Sequence, residues 1–183
     1  MTFTRKLEKV QSGLRNDGGW GTDQPVTFGS TVTFNGGRTS SVVASASATP
    51  TLVASQSGST FLMDRASGTV YTLPAPVVGL RFQFINSVLQ TSGANTVVTD
   101  AGTTFVTGSV VAFSGEKVTP SSTLGPFQFA GNGSSHIKVT TNGTTTGGGI
   151  GTVLDFLCIS ATIWYVTGVI NSPSGSLATP FST

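Results

Sequence analysis

The sequence predicts an all-β protein: an antiparallel β-sandwich of jelly-roll type, with an extended N-terminal arm that holds a short helix. Composition is the first observation behind this prediction, because the 183 residues include 30 Thr, 24 Gly and 23 Ser. Thr suits a pleated strand, while Gly and Ser supply turns. The second observation is a series of short apolar runs separated by Gly, Asn, Pro or Ser clusters, which is typical of sandwiches and barrels.

The charge content indicates a surface that suits permanent assembly. Only 9% of the residues are charged, against about 25% in ordinary soluble domains. The 12 Phe and 2 Trp residues supply enough apolar surface to offset the entropy of the chain, so we expect a folded domain. Because few charges repel a neighbouring molecule, such a surface favours lasting contacts over free diffusion.

The chain divides into an N-terminal arm at 1–40, a β-sandwich body at 41–171 and a C-terminal tail at 172–183. In the arm, the spacing of Leu7, Val10 and Leu14 predicts a short amphipathic helix. Such a helix is marginal alone and needs a surface to pack against. The arm also carries the whole net charge of +2. We therefore expect it to be poorly ordered in isolation and to dock on a partner.

The tail contains two prolines and no periodicity, which predicts a second extended arm. In the body, the apolar runs predict a strand at each of the following ranges: 51–55, 60–66, 69–73, 79–86, 95–99, 103–107, 109–113, 126–130, 136–141, 152–159 and 162–170.

The segment from Gly58 to Ser87 is the most informative part of the body. Leu80, Phe82 and Phe84 alternate with Arg81 and Gln83, so one face of this strand enters a core. The prolines that precede this strand break the pairing, because proline lacks the N–H that a ladder needs. We expect the first two runs of the segment to pair as a hairpin and the third to cross elsewhere. The predicted core residues are Phe82, Phe84, Leu154, Phe156 and Trp164.

The apolar run from Val153 to Ile170 is long enough to suggest a membrane helix. Asp155, the interspersed polar residues and the many β-branched residues favour two strands divided at Ser160 instead. Cys158 is the only cysteine, which excludes an intrachain disulfide and predicts a small buried apolar side chain.

The residues that carry chemistry form no catalytic or metal-binding pattern. His136 is the only histidine, and we expect it to face solvent. Asp64 and Asp100 are the best candidates for a pair of catalytic acids, although turn and salt-bridge roles fit them better. Gly147 to Gly151 precede a strand, so they predict a flexible loop or bulge and not a phosphate-binding loop. We expect no cofactor, no metal, no nucleic acid and no enzymatic activity.

Three further motifs within Gly58 to Ser87 and its margin read S-G-x-T-F-L-x-D, G-x-x-x-T-L-P-A-P and G-L-x-F-x-F. Together they resemble small head-decoration (cement) proteins of bacteriophages, and similar motifs recur in phage tail-fibre modules. The resemblance implies a homotrimer on the outside of the capsid that binds the major capsid protein and bridges its subunits. The arm residues expected at that contact are Arg5, Lys6, Leu7, Lys9, Val10, Leu14, Arg15 and Trp20.

Two other classes of function stay open from the sequence. The first is a tail-fibre, spike or baseplate module that binds a glycan on the host surface. The second is a hydrolase of bacterial polysaccharide, which depends on Asp64 and Asp100 meeting in space.

Overall fold

A computed structural model describes residues 40–114, 126–173 and 176–183 of the chain, which belong to one compact unit, Thr39–Thr183. The predicted N-terminal helix and nearly all of the arm lie outside these residues. The described part is all-β, apart from one turn of 3₁₀ helix at Ala54–Gln56. Its strands are β1 (Val42–Val43), β2 (Thr60–Met63), β3 (Val70–Thr72), β4 (Arg81–Asn86), β5 (Asn95–Val98), β6 (Phe105–Ser114), β7 (Phe127–Asn132), β8 (Lys138–Thr141), β9 (Val153–Ser160), β10 (Ile163–Ser172) and β11 (Phe181–Ser182).

These strands form two mixed sheets. The large sheet has the order β1-β2-β4-β9-β10-β6-β7, and the small sheet has the order β11-β8-β5-β3. The prediction of antiparallel pairing throughout is wrong, because β1–β2, β2–β4, β3–β5 and β6–β10 are parallel pairs. The jelly-roll assignment assumed antiparallel neighbours, and the observed orders do not confirm it.

Two of the parallel pairs, β2–β4 and β3–β5, arise because the chain alternates between the two sheets. It passes from β2 in the large sheet to β3 in the small sheet, returns to β4 beside β2, and then enters β5 beside β3. Parallel neighbours need a long crossover, which is usually a helix; here a strand of the opposite sheet provides it. The predicted hairpin between the runs at 60–66 and 69–73 is therefore wrong. Those runs contain β2 and β3, which lie in different sheets.

One hydrophobic core receives side chains from both sheets. Tyr71, Val97 and Val139 enter it from the small sheet, and the large sheet contributes most of the remaining members. The five predicted core residues are confirmed, since each has at most 1% of its surface exposed; they are Phe82, Phe84, Leu154, Phe156 and Trp164. The alternation of the sequence thus identified the inward faces of β4, β9 and β10 correctly.

Three predicted strands differ from the observed ones. The range 51–55 holds a single bridge at Thr51 and the 3₁₀ turn instead of a strand. The ranges 103–107 and 109–113 lie in one long strand, β6, which runs through Gly108. Gly108 has a φ of 107°, so the chain kinks there without leaving the sheet.

The expectation of an extended C-terminal arm is wrong for residues 176–183. Phe181 is buried and pairs with Val139 through β11, while Leu177 packs against the core. Two apolar side chains and the pairing of β11 with β8 hold this segment on the body, although its sequence lacks periodicity.

Candidate interaction surface

The predicted capsid-contact residues are not placed by the structure. Arg5, Lys6, Leu7, Lys9, Val10, Leu14, Arg15 and Trp20 all lie outside the described residues. A surface on the body is therefore the only candidate that can be built from geometry.

Of the candidate catalytic groups, Asp64 and His136 make contacts within the body. The Asp64 carboxylate accepts a hydrogen bond from the backbone N–H of Ser45 at 3.2 Å, whereas Asp100 is exposed just after β5. His136 is half-buried rather than solvent-facing, because its ring stacks on Phe181 with the ring centroids 5.8 Å apart. Its Nδ1 accepts a hydrogen bond from the backbone N–H of Asn132. Across the described ranges, no three His, Cys, Asp or Glu side chains are grouped to hold a metal ion.

The glycines from Gly147 to Gly149 are buried and closely packed, in contrast to the expected flexible loop. A side chain on Gly148 would meet the Gln90 side chain at 2.3 Å, which explains the need for glycine there. The loop leads into β9 and not into a helix, so it lacks the helix N-terminus that would hold a phosphate.

Cys158 is buried on the inward face of β9, as predicted. Burial raises the pKa of its thiol, and the Sγ atom donates a hydrogen bond to the Ser160 carbonyl at 3.1 Å. The run from Val153 to Ile170 forms β9 and most of β10. No helix in residues 40–114, 126–173 and 176–183 has the length and apolar character needed to cross a membrane.

An apolar row on the outer face of the large sheet is the most distinctive surface of the body. Each of its residues alternates with inward-facing neighbours along its strand, as Leu62 does between buried Phe61 and Met63. The register places the side chains directly opposite one another across five adjacent strands. We call this row the outer stripe; it consists of Leu62, Ile85, Val153, Val169 and Val111.

The outer stripe spans about 19 Å, since neighbouring strands lie about 4.8 Å apart. Val169 is the most exposed member, with 44% of its surface accessible, and the others are half-buried. The adjacent row on the same face is polar and comprises Thr60, Gln83, Asp155, Thr167 and Ser109. An apolar band bordered by polar residues is the usual composition of a protein contact surface.

The charges on this face neutralise each other. The Arg81 Nε–H is shared between the two oxygens of the Asp155 carboxylate, at 2.9 and 3.2 Å, and Nη2 donates a further hydrogen bond. The pair lies on neighbouring strands β4 and β9. Neither Arg81 nor Asp155 therefore presents an unpaired charge on this face.

The outer stripe was not predicted from the sequence, although β9 carries a signal for it. Its sequence VLDFLCIS is apolar at both inward and outward positions, which is typical of a strand covered on both faces. This signal does not identify the strands that lie beside β9. Only the register of the five strands shows that their outward apolar residues align.

Comparison of the chain with protein-family models, with curated proteins and with solved structures found no match.

Proposed function

We propose that this chain is a structural protein of a phage virion that binds the outside of the capsid and bridges neighbouring capsid subunits. It acts as a homotrimer on the major capsid protein and has no enzymatic activity. The observation that carries the proposal is the outer stripe, an apolar band on a sheet face whose Arg81 and Asp155 charges are paired. The resemblance of the motifs at Gly58 to Ser87 to head-decoration proteins supports the major capsid protein as the partner.

The large sheet suits a permanent contact. As one layer of a β-sandwich, it presents the outer stripe on a broad face that is stiffened by the core beneath it. Rigid surfaces lose little conformational entropy on binding, so more of the contact free energy appears as affinity. The basic arm, with Arg5, Lys6 and Lys9, adds an electrostatic contribution that salt screens.

Binding of this kind stabilises the assembled shell. A protein that binds the shell and not its dissociated subunits shifts the equilibrium toward the shell by mass action. Phage particles with and without the protein should therefore be heated while DNA release is followed. We expect release at a lower temperature without the protein. Equal release temperatures together with loss of host adsorption would overturn the proposal in favour of a tail module that binds a host glycan.

Substitution in the outer stripe tests the contact directly. Val169→Asp places a charge on an exposed position, so the fold should be retained, while burial of an unpaired carboxylate at the contact should weaken capsid binding by about 2 kcal/mol or more. The control is Val53→Asp, because Val53 is 51% exposed but lies outside the large sheet. Co-sedimentation with capsids that lack the protein measures both. Equal binding of the two variants would exclude the outer stripe as the contact.

A further inference from the structure

A groove lies on the outer face of the small sheet, which faces away from the core. Its volume is about 620 Å³, within the range of about 300–1,000 Å³ that small-molecule sites occupy. We call it the threonine groove; its lining residues are Val70, Thr96, Val98, Lys138, Thr140, Asn142, Thr146, Thr179, Pro180 and Ser182.

The floor of the threonine groove consists of two rows that cross the small sheet. In one row Val70, Thr96 and Thr140 lie opposite one another on β3, β5 and β8. In the other row, Lys138 lies between Val98 and Ser182. The inward neighbours of these residues, such as Val97 and Val139, are fully buried in the core. The floor is therefore held in place by the packing of the domain.

The rim is also fixed. The Asn142 side-chain carbonyl accepts hydrogen bonds from the backbone N–H groups of Thr144 and Thr146, at 2.9 and 3.0 Å. On the other side, the Thr140 N–H donates to the carbonyl of Pro180 at 2.8 Å, which holds the C-terminal segment beside β8. A groove with a rigid floor and rim needs little reorganisation to bind a ligand.

The lining chemistry selects the ligand. Lys138 is the only charged side chain in the groove, and no carboxylate lines it. The one ion pair recorded among the described residues joins Arg81 and Asp155, so the Lys138 ammonium keeps its donors for a ligand. The Thr96 and Thr140 hydroxyls lie 3.2 Å apart and share one hydrogen bond, which leaves one hydroxyl proton available. An ammonium group beside a hydroxyl donor favours an anionic ligand that is rich in hydrogen-bond acceptors.

The apolar residues of the groove indicate what kind of molecule carries the anionic group. Val70, Val98 and Pro180 offer apolar contacts between the polar groups, which matches the alternating C–H and hydroxyl surface of a sugar ring. No aromatic side chain lines the groove, so it lacks the stacking platform on which a nucleobase is bound. We propose that the threonine groove binds a saccharide unit that carries a carboxylate or a phosphate group. This proposal is independent of the capsid contact, which lies on the other sheet.

Titration calorimetry on the full-length protein tests the proposal with three probes: an oligogalacturonate, a phosphorylated mannose oligosaccharide and an uncharged maltose oligosaccharide. We expect at least one acidic saccharide to bind and the uncharged one to bind at least about tenfold more weakly, since a hydrogen bond to a charged group is stronger than a neutral one. The two acidic probes distinguish carboxylate from phosphate recognition. Absence of binding by both at millimolar concentration, or equal binding of the uncharged probe, would overturn the proposal.

Four variants localise the site. Lys138→Met should lower the affinity for the acidic saccharide about tenfold, whereas Lys138→Arg should retain it, because the charge is kept. Thr103→Val is the control: Thr103 is exposed and does not line the groove, so this variant should leave the affinity unchanged. Thr140→Val, which retains the side-chain volume in β8, should weaken binding by a smaller factor. Unchanged affinity in both Lys138→Met and Thr140→Val would place the ligand elsewhere.

Discussion

Phe84 lies at the centre of an aromatic cluster that joins the two sheets. Its ring centroid is 5.6 Å from that of Phe61, 5.1 Å from Tyr71 and 5.7 Å from Phe156. Tyr71 belongs to the small sheet and the other rings to the large sheet. Contacts of this geometry add to the stabilisation that comes from burial alone.

Truncation of Phe84 should therefore strongly destabilise the protein. For Phe84→Ala we expect a loss of about 3–5 kcal/mol in the free energy of unfolding, because a large cavity forms at a fully buried site. The control is Phe113→Ala, because Phe113 lies on the large sheet and is 45% exposed. This variant should lose much less free energy of unfolding. Urea unfolding followed by circular dichroism measures both. Similar midpoints for the two variants would mean that Phe84 is not in the core.

Gly108 is required by a close approach between β6 and β10. A Cβ atom built on Gly108 would lie 2.1 Å from the carbonyl oxygen of Val166, and the residue has a φ of 107°. Backbone strain alone costs about 1–3 kcal/mol. For Gly108→Ala we expect a larger loss in the free energy of unfolding, because β6 and β10 must also separate. Gly102→Ala is the matched control, as a Cβ there meets nothing within 4 Å. A thermal melt in which both variants unfold at the parental temperature would contradict the observed β6–β10 pairing.

Tyr71 makes stability depend on pH in alkaline solution. Its hydroxyl donates to the Leu62 carbonyl at 2.9 Å, and burial raises the pKa of the phenol above its usual value near 10. The unfolded chain then loses the phenolic proton at lower pH than the folded chain does. The resulting stabilisation is complete below about pH 10 and is lost as pH rises through the raised value.

Unfolding midpoints in urea, measured from pH 8 to pH 11, should therefore decline above about pH 10. Tyr71→Phe should be less stable at pH 8, because the bond to Leu62 is lost, but its alkaline decline should be smaller. Tyr165→Phe serves as the control, since it leaves Tyr71 in place. An equal decline in the parent and in Tyr71→Phe would assign the pH dependence to other groups.

At the scale of the elements, the positions of most strands could be predicted but their partners could not. Alternation and turn residues act over a few neighbours, so they defined β4, β9 and β10 and their inward faces. Pairing depends on contacts between distant residues. The prolines at Pro74 and Pro76 marked the crossover after β3, yet nothing local indicates that β4 then returns to lie parallel to β2.

The candidate surfaces were beyond prediction for the same reason. The outer stripe exists only when Leu62, Ile85 and Val153 are brought into register, and the threonine groove only when β8 lies beside β5. The C-terminal segment shows a different limit: it is held by Phe181, Leu177 and the short strand β11, and so few apolar residues produce no periodic pattern.

At the scale of the whole molecule, the body is electrically balanced. The described residues hold three cations, Arg65, Arg81 and Lys138, and three carboxylates, Asp64, Asp100 and Asp155. Copies of such a body do not repel each other strongly at close spacing. This property suits a protein displayed in many copies on one shell, which is the arrangement that the proposed function requires.

The copy number of the protein in purified virions tests this account most directly. Quantitative mass spectrometry should compare the chain with the major capsid protein and with a tail protein from the same particles. A capsid-bound homotrimer predicts a copy number in a fixed, high proportion to the major capsid protein, and its depletion should leave the tail proteins unchanged. A copy number equal to that of the tail proteins, or absence from the virion, would contradict the proposed function.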